Sequence, residues 1–465
     1  MKLLPFNFEF IDSDIAFLSN EAGFFEYLNR SQLESLVSFS STGTEELDLL
    51  LESKLFLTSP NSSGVSVNAL ASGMSKRLMK ALQFNPIFMI VPTLRCDHTC
   101  RYCQVSRASI HARNFDMEES NITPMMEQIK TLSSPPYKLE IQGGEPLIRF
   151  DLVQKIYDSA VSILGEEQFE FVIATSLSLL TDEIVSWSEA KAIHFSTSLD
   201  GSHLIHNSHR ILGNGDSFER VKLGIQKIKS SLGDKHVATV TTVTSALLPY
   251  PEDIISTHTE LGLNDIFIRP VSPYGFANHD QRSTYSIDEY ISFYERFLNV
   301  LSTYHQRGYK LVEHSALIHL KRILDPNYSS YSDLKSPSGV ILNSILFNYD
   351  GRIFGSDEAR MLQKSNSDID FSLGTIQSPN VSNNQFYRSV LSQSFSLCHP
   401  GCIDCAYQPF CGADPCQNIS VFGEPVGDKS QSRFCQYHKA MFTLVLKHYR
   451  SKDEVGQMFK EWIYG

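Results

Sequence analysis

The stretch CDHTCRYC, Cys96–Cys103, decides the reading of this chain. Its C-x3-C-x2-C spacing suits three thiolates wrapped round an iron–sulfur cluster with one open corner. A cubane has four irons, so three cysteines leave one iron able to bind a small molecule. A zinc site and buried free thiols are the alternatives. Zinc usually takes four ligands in two pairs, and the only spare candidate nearby is His98, inside the loop itself.

The cysteines are lopsided along the chain. There are nine among 465 residues; three lie in this loop, and the rest are Cys398, Cys402, Cys405, Cys411, Cys416 and Cys435. Two separate metal or redox clusters are the simplest reading. The composition is ordinary for a globular protein, with 42% hydrophobic and 20% charged residues. The formal charge of −12 and the lack of a basic run argue against a nucleic-acid partner. MKLLPFNFEFIDSD is too short and acidic for a signal peptide, and no apolar stretch approaches membrane-spanning length. The expectation is a soluble, cytoplasmic protein.

Outward from the loop, a strand–helix alternation begins near Pro86. Strands are predicted at Ile87–Val91, Lys138–Gln142, Glu170–Ala174, Ala192–Ser198, Val237–Val243 and Asp265–Arg269, with helices such as Asp151–Leu164 and Phe218–Leu232 between them. Six such units predict an α/β fold, a complete or partial parallel barrel. The notable residues follow the strands, where such barrels gather ligand groups. The cysteines follow the first, GGEP (143–146) the second, TS (175–176) the third, SLDG (198–201) the fourth and RPVSPYG (269–275) the sixth. Gly143 and Gly144 have no Cβ and would let a ligand lie on the main chain. Glu145 could accept from an ammonium; a tight turn is the plain alternative.

Three short strands, Asn7–Ile11, Ile15–Ser19 and Phe24–Leu28, precede the barrel as a meander. Two helices follow, one with a capping box from Ser31 and Glu34, the other capped by Thr44. SPNSSGVSVNALASG (59–73) has the composition of a linker. Past residue 310 a helix, Glu313–Leu324, and a hairpin, NYDGRIFGSDE (348–358), lead to the cysteine-rich tail.

CDHTCRYC, QGGEP and SLDG in this order resemble the radical S-adenosylmethionine (SAM) enzymes. The resemblance implies that Cys96, Cys100 and Cys103 hold a [4Fe–4S] cluster whose free iron binds the amino and carboxylate groups of S-adenosylmethionine. Reductive cleavage then gives a 5′-deoxyadenosyl radical that abstracts a hydrogen atom. It implies that Gly143, Gly144 and Glu145 receive the methionine ammonium. Thr175 and Ser176 would contact the ribose, and Ser198 and Arg210 the ribose and carboxylate. Tyr102 would cover the adenine side. A strand-end serine, a surface arginine and a packed tyrosine are the plain readings of the last three.

The tail resembles a SPASM extension, with Cys402, Cys405, Cys411 and Cys435 matching the ligands of an auxiliary iron–sulfur cluster of the [4Fe–4S] type. Tetrahedral zinc is the rival for those four thiolates. The usual inner-cluster cysteine is Ser356 here, and Cys398 and Cys416 stay unassigned. Asp357 matches a general base of sulfatase-maturing relatives, with a solvated hairpin carboxylate as its rival. The N-terminal unit resembles a winged-helix-like leader-peptide recognition element, whose edge strand could accept a disordered leader. The expected domains are 1–75 (recognition unit plus linker), 76–310 (partial (β/α)6 barrel) and 311–465 (auxiliary iron–sulfur domain).

End to end, TLRCDHTCRYCQVSR, QGGEPLIRFDL, PVSPYGFA, YDGRIFGSDEARM and CIDCAYQPFCGADP are similar to the His-Xaa-Ser system radical SAM maturase family, near the darobactin- and cyclophane-forming enzymes. That resemblance implies a maturase that forms a macrocyclic side-chain crosslink in a ribosomally made precursor peptide after abstraction at Cβ. Its electron donor would be a flavodoxin or ferredoxin. A thioether-forming or dehydrogenating maturase and a non-catalytic peptide-binding iron–sulfur scaffold are the alternative readings.

Overall fold

The computed structural model describes residues 1–465 except 39–43, 106, 273, 276–283, 327, 329–330, 341, 366–368 and 382. Of the family-like strings, Ser106 in the first and Pro273, Phe276 and Ala277 in the third lie outside the described residues. The chain divides into two compact units that alternate along the sequence. One comprises residues 1–83, 316–339 and 389–465, the other 84–315 and 340–388.

The larger unit is a parallel sheet covered by helices. Its first six strands are Ile87–Thr93, Tyr137–Gly143, Phe169–Ala174, His194–Ser198, Val237–Val243 and Asp265–Pro270, each parallel to the next. All six lie where the alternation placed them. Two further strands that the alternation did not reveal extend the arc. Val312–Glu313 pairs parallel with the sixth strand, and Ser344–Phe347 pairs parallel with the first. Arg352–Phe354, Ser372–Thr375 and Ser378–Pro379 then continue as an antiparallel edge. The helix Phe150–Leu164 shows why the alternation was readable. Leu152, Val153, Ile156, Ala160 and Leu164 form one buried stripe at helical spacing. Each large apolar side chain so buried contributes roughly 1.5–3 kcal/mol.

The smaller unit contains the meander Asn7–Phe10, Ile15–Ser19 and Phe25–Asn29, with Ile15–Ser19 in the centre. Every residue of that central strand is buried because both faces are covered. Ile15 and Phe17 on one face pack with Tyr407, Phe410, Phe442 and Leu446 of the tail. Ala16 and Leu18 on the other pack with Leu33, Leu36 and Leu51 of two short helices. The period of two thus sends one strand into two cores.

Two local expectations are corrected. The first helix starts earlier than Ser31. Asn29 is its N-cap, accepting from the Gln32 N–H at 2.8 Å, while Gln32 Oε1 accepts from the Asn29 N–H at 2.9 Å. Ser31 instead donates to Asn29 Oδ1, so the Ser31–Glu34 box does not form. Thr44 caps the second helix as expected. The stretch 59–73 is largely helix rather than linker, for Ser63–Ala81 is one 19-residue helix. Its small residues serve contact, not flexibility. A Cβ on Gly73 would stand 2.6 Å from Ala22 Cβ.

Candidate active site

The Cys96–Cys103 loop is fastened at both ends by backbone hydrogen bonds. At its start, Gly144 N–H donates to Thr93 O at 3.0 Å and Glu145 N–H to Arg95 O at 2.8 Å. Further on, Thr99 N–H donates to Ile211 O at 2.8 Å and Arg101 N–H to His209 O at 3.0 Å. The loops after the second and fourth strands therefore hold the cysteine loop between them.

The two glycines are explained by this contact. Gly143 has φ +149°, and a Cβ there would lie 2.2 Å from Thr93 O. A Cβ on Gly144 would lie 2.3 Å from Arg95 O. The chain's own carbonyls lie on these glycines. Gly275 plays the same part for the loop after the sixth strand, where a Cβ would meet Gln104 O at 2.2 Å. Arg95 is anchored in turn by a two-pronged pair with Asp116, both contacts 2.8 Å.

Glu145 is 1% exposed, and its carboxylate accepts four hydrogen bonds. They come from Leu147 N–H at 3.0 Å, Thr175 Oγ1 at 2.7 Å, Ser176 N–H at 2.8 Å and Ser176 Oγ at 2.7 Å. Burial pushes its pKa up, and the Thr175 and Ser176 bonds oppose the rise. The resemblance implies a ribose contact for Thr175 and Ser176; in the structure both bond the Glu145 carboxylate.

From Ser176 the network runs to the cysteine loop. Ser176 Oγ lies 2.8 Å from Ser178 Oγ, which donates to Asp97 Oδ2 at 2.6 Å. Asp97 Oδ1 is 2.8 Å from His98 Nδ1, and His98 Nε2 is 2.9 Å from Ser217 Oγ. Ser217 Oγ is also 3.0 Å from His206 Nε2. Burial would raise the Asp97 pKa, but hydrogen bonds from His98 and Ser178 outweigh it and hold the carboxyl low. Both ring nitrogens of the buried His98 are engaged, one by Asp97 and one by Ser217.

A second group stands on the other side of the loop. The Tyr102 hydroxyl donates to the buried Asp200 carboxylate and accepts from Arg210 Nη1 at 2.9 Å. Asp200 Oδ1 also accepts from Thr242 N–H at 3.0 Å. Burial raises the Cys100 thiol pKa, and the Arg210 charge opposes that rise. Burial raises Cys96 too, with the Glu145 charge adding to it. The structure thus brings Tyr102 and Arg210 together with Cys100. Ser198 ends the fourth strand, half-buried.

Asp97, Ser178, Asp200 and Ser217 were missed as functional residues. Asp97 lies inside the quoted cysteine string and Asp200 inside SLDG, so position alone could have flagged them. Ser178 and Ser217 carry no sequence signal. Asp357 is buried and accepts from Arg360 at 2.9 Å and 2.5 Å, forming an ion pair one helical turn apart. Ser356 accepts from Ala359 N–H at 3.1 Å, which caps the helix Asp357–Ser365.

In the smaller unit, Cys402, Cys405, Cys411 and Cys435 line one cavity. Burial raises all four thiols, Cys402 to about 11. Bare thiolates are disfavoured there, and a bound metal reverses that balance by deprotonating its thiol ligands outright. The donor set fits a fully ligated metal cluster. Cys416 is buried on the helix Pro415–Phe422 and Cys398 is exposed; neither lines this cavity. Among the described residues, no helix is long and apolar enough to cross a membrane.

Residues 90–259 match the Radical SAM superfamily. An uncharacterised protein of Methanothermobacter thermautotrophicus is 28% identical over 211 residues, which is 43% of this chain and 74% of that protein. The structure of native anSMEcpe with bound AdoMet and Cp18Cys peptide superposes with a TM-score of 0.66 at 16% identity, covering 81% of this chain and 99% of that one. Streptococcus suis SuiB bound to precursor peptide SuiA gives 0.55 at 14% identity, covering 94% of this chain and all of that one (100%). At such identities the likeness is one of fold. The stretch that matches the Radical SAM superfamily thus contains the cysteine loop, and the chain shares the fold of anSMEcpe and SuiB.

Proposed function

We propose that this chain is a radical SAM enzyme that crosslinks side chains within a ribosomally made precursor peptide. The observation that carries the reading is the Cys96–Cys103 loop bonded through Gly144 and Glu145 to the end of the second strand. Cys96, Cys100 and Cys103 would hold the [4Fe–4S] cluster that binds S-adenosylmethionine. The cluster supplies the electron that cleaves the sulfonium and so yields a hydrogen-abstracting radical. Glu145, held by Thr175 and Ser176, and Arg210, bonded to the Tyr102 hydroxyl that itself donates to Asp200, orient the bound cofactor. The bonded loops on both sides of the cysteine loop shield it from water.

A peptide substrate is supported by the fold shared with two proteins whose structures hold peptides. Cys402, Cys405, Cys411 and Cys435 would hold an auxiliary cluster that accepts the electron left when the crosslink closes. Among the described residues the meander's outer strands each pair on one side only, which would leave an edge for a leader peptide. A flavodoxin or ferredoxin would be the reductant.

The test is anaerobic. Reconstituted protein with dithionite and S-adenosylmethionine should release 5′-deoxyadenosine, and Cys100→Ala should not. Release by neither protein defeats the reading. With the peptide encoded beside its gene, loss of two hydrogens by mass and a new carbon–carbon bond by NMR would identify the crosslink; a thioether in its place would rule the proposed crosslink out.

A further inference from the structure

The smaller unit holds a second cavity, of about 620 Å³, that the proposed chemistry does not use. Its walls are the Ser63–Ala81 helix, the turn after Ile15–Ser19, the Lys335 segment and the turn bearing Cys411. Five basic side chains line it (Lys76, Arg77, Lys80, Arg322 and Lys335) against one carboxylate, Asp325. The chain as a whole carries −12, so this local excess of cations runs against its composition.

The five cations are not equivalent. Arg77 is spent on Glu21 Oε2 at 3.0 Å and on the carbonyls of Glu21 and Pro409, each at 3.1 Å. Arg322 donates to Phe410 O at 2.9 Å and Tyr328 O at 3.4 Å. The arginines are braces. Lys80 gives one bond, to Pro326 O at 3.1 Å, leaving two of its three N–H groups. Lys76 is exposed at the opening. Lys335 is 4% exposed, and among the described residues its ammonium has no hydrogen-bond partner. On the cavity wall, this ammonium faces a space that a counter-charge could occupy. Burial, with the charges of Arg322 and Lys80, pushes its pKa down to about 8.

We propose that this cavity binds a ligand with at least two anionic groups, carboxylate or phosphate, one on Lys335 within and another on Lys80 and Lys76 at the mouth. Such a ligand supplies the partner that Lys335 lacks. Resting on the peptide-substrate reading, one source is an acidic run of the precursor; the other is a small free polyanion.

The reconstituted full-length chain is titrated with two probes. Fluorescein-labelled hexaglutamate is followed by anisotropy, and inorganic pyrophosphate by calorimetry. At least one probe binds, more weakly as salt rises. Lys335→Met and, separately, Lys76→Glu with Lys80→Glu each weaken it about tenfold or more, the loss expected for one charged hydrogen bond. Hexaglutamate binding assigns the site to an acidic segment, and pyrophosphate alone assigns it to a small polyanion. Binding of neither probe, or wild-type affinity in the exposed double variant, overturns the proposal. Iron content and 5′-deoxyadenosine release are measured on the same samples. A wild-type chain that binds neither probe yet releases 5′-deoxyadenosine sinks this inference alone; absent release sinks the enzyme reading and leaves the binding result standing.

Discussion

The ring of Phe17 stacks on the ring of Tyr407, with centroids 5.6 Å apart and planes at 25°. Phe17 belongs to the central meander strand, and Tyr407 lies between Cys405 and Cys411. Ser19 Oγ reinforces the contact by donating to Ala406 O at 2.5 Å, and Asn7 Nδ2 by donating to Ile403 O at 2.7 Å. The meander thus clamps the turn that carries three of the four cysteines lining the tail cavity. Phe17→Ala should cost about 3–5 kcal/mol of stability. Iron analysis should show about four irons per chain, where a wild type carrying the two proposed [4Fe–4S] clusters would hold about eight. Unchanged iron would show that the clamp is dispensable for the tail site.

Glu145→Gln keeps the shape of the side chain but replaces an acceptor with a donor. One face of the amide would then meet N–H and O–H donors from Thr175, Ser176 or Leu147. The turn that fastens the cysteine loop should shift. A displacement of about 1 Å is enough to lower 5′-deoxyadenosine formation about 10²-fold. Single-turnover kinetics with a fixed reductant measures this, and wild-type rates would remove Glu145 from the site.

Asp357 and Arg360 are both buried, so the two substitutions should differ in kind. Asp357→Asn should still release 5′-deoxyadenosine while modified peptide falls about 10²–10⁴-fold, the range for loss of a general base. Arg360→Met leaves an uncompensated buried carboxylate and should cost about 3–5 kcal/mol in thermal or denaturant unfolding. Equal loss of both products in Asp357→Asn would assign the residue to folding only.

His258 gives a pH signature. It is fully buried, its Nδ1 lies 2.7 Å from Ile254 O and its Nε2 3.0 Å from Thr239 Oγ1. Burial lowers its pKa to about 4, and the Ile254 carbonyl only partly opposes this. The unfolded chain takes up the proton near pH 6.5 while the folded chain does not. Stability from this group is present above pH 6.5 and is lost as pH falls toward 4. The loss between pH 7 and 5.5 should be about 1 kcal/mol. His258→Asn should flatten that part of the stability profile, and an unaltered slope would refute the assignment.

The sequence was most legible where period and chemistry agree. The six barrel strands alternate with amphipathic helices, and each motif follows a strand end. Legibility failed where a residue's role depends on what folds against it. Gly73 read as linker because its contact, Ala22, is far away in the chain. The strands Val312–Glu313 and Ser344–Phe347 are short and take their register from neighbours, so local pattern was too weak to reveal them. Ser178 and Ser217 matter only through the hydrogen-bonded chain from Glu145 to His206, which no spacing announces. Thr175, Ser176, Tyr102 and Arg210 were named from resemblance, and the geometry adds their partners: Glu145 for Thr175 and Ser176, Asp200 for Tyr102, and the Tyr102 hydroxyl for Arg210.

The clamp between Phe17 and Tyr407 also imposes an order on biosynthesis. Phe17 leaves the ribosome some 390 residues before its partner ring, which at about 5–20 residues per second is a wait of roughly 20–80 seconds. During that interval Ile15 and Phe17 present an uncovered apolar strand face to the crowded cell. Slowing translation between residues 17 and 407 should therefore raise aggregation more than slowing it before residue 17.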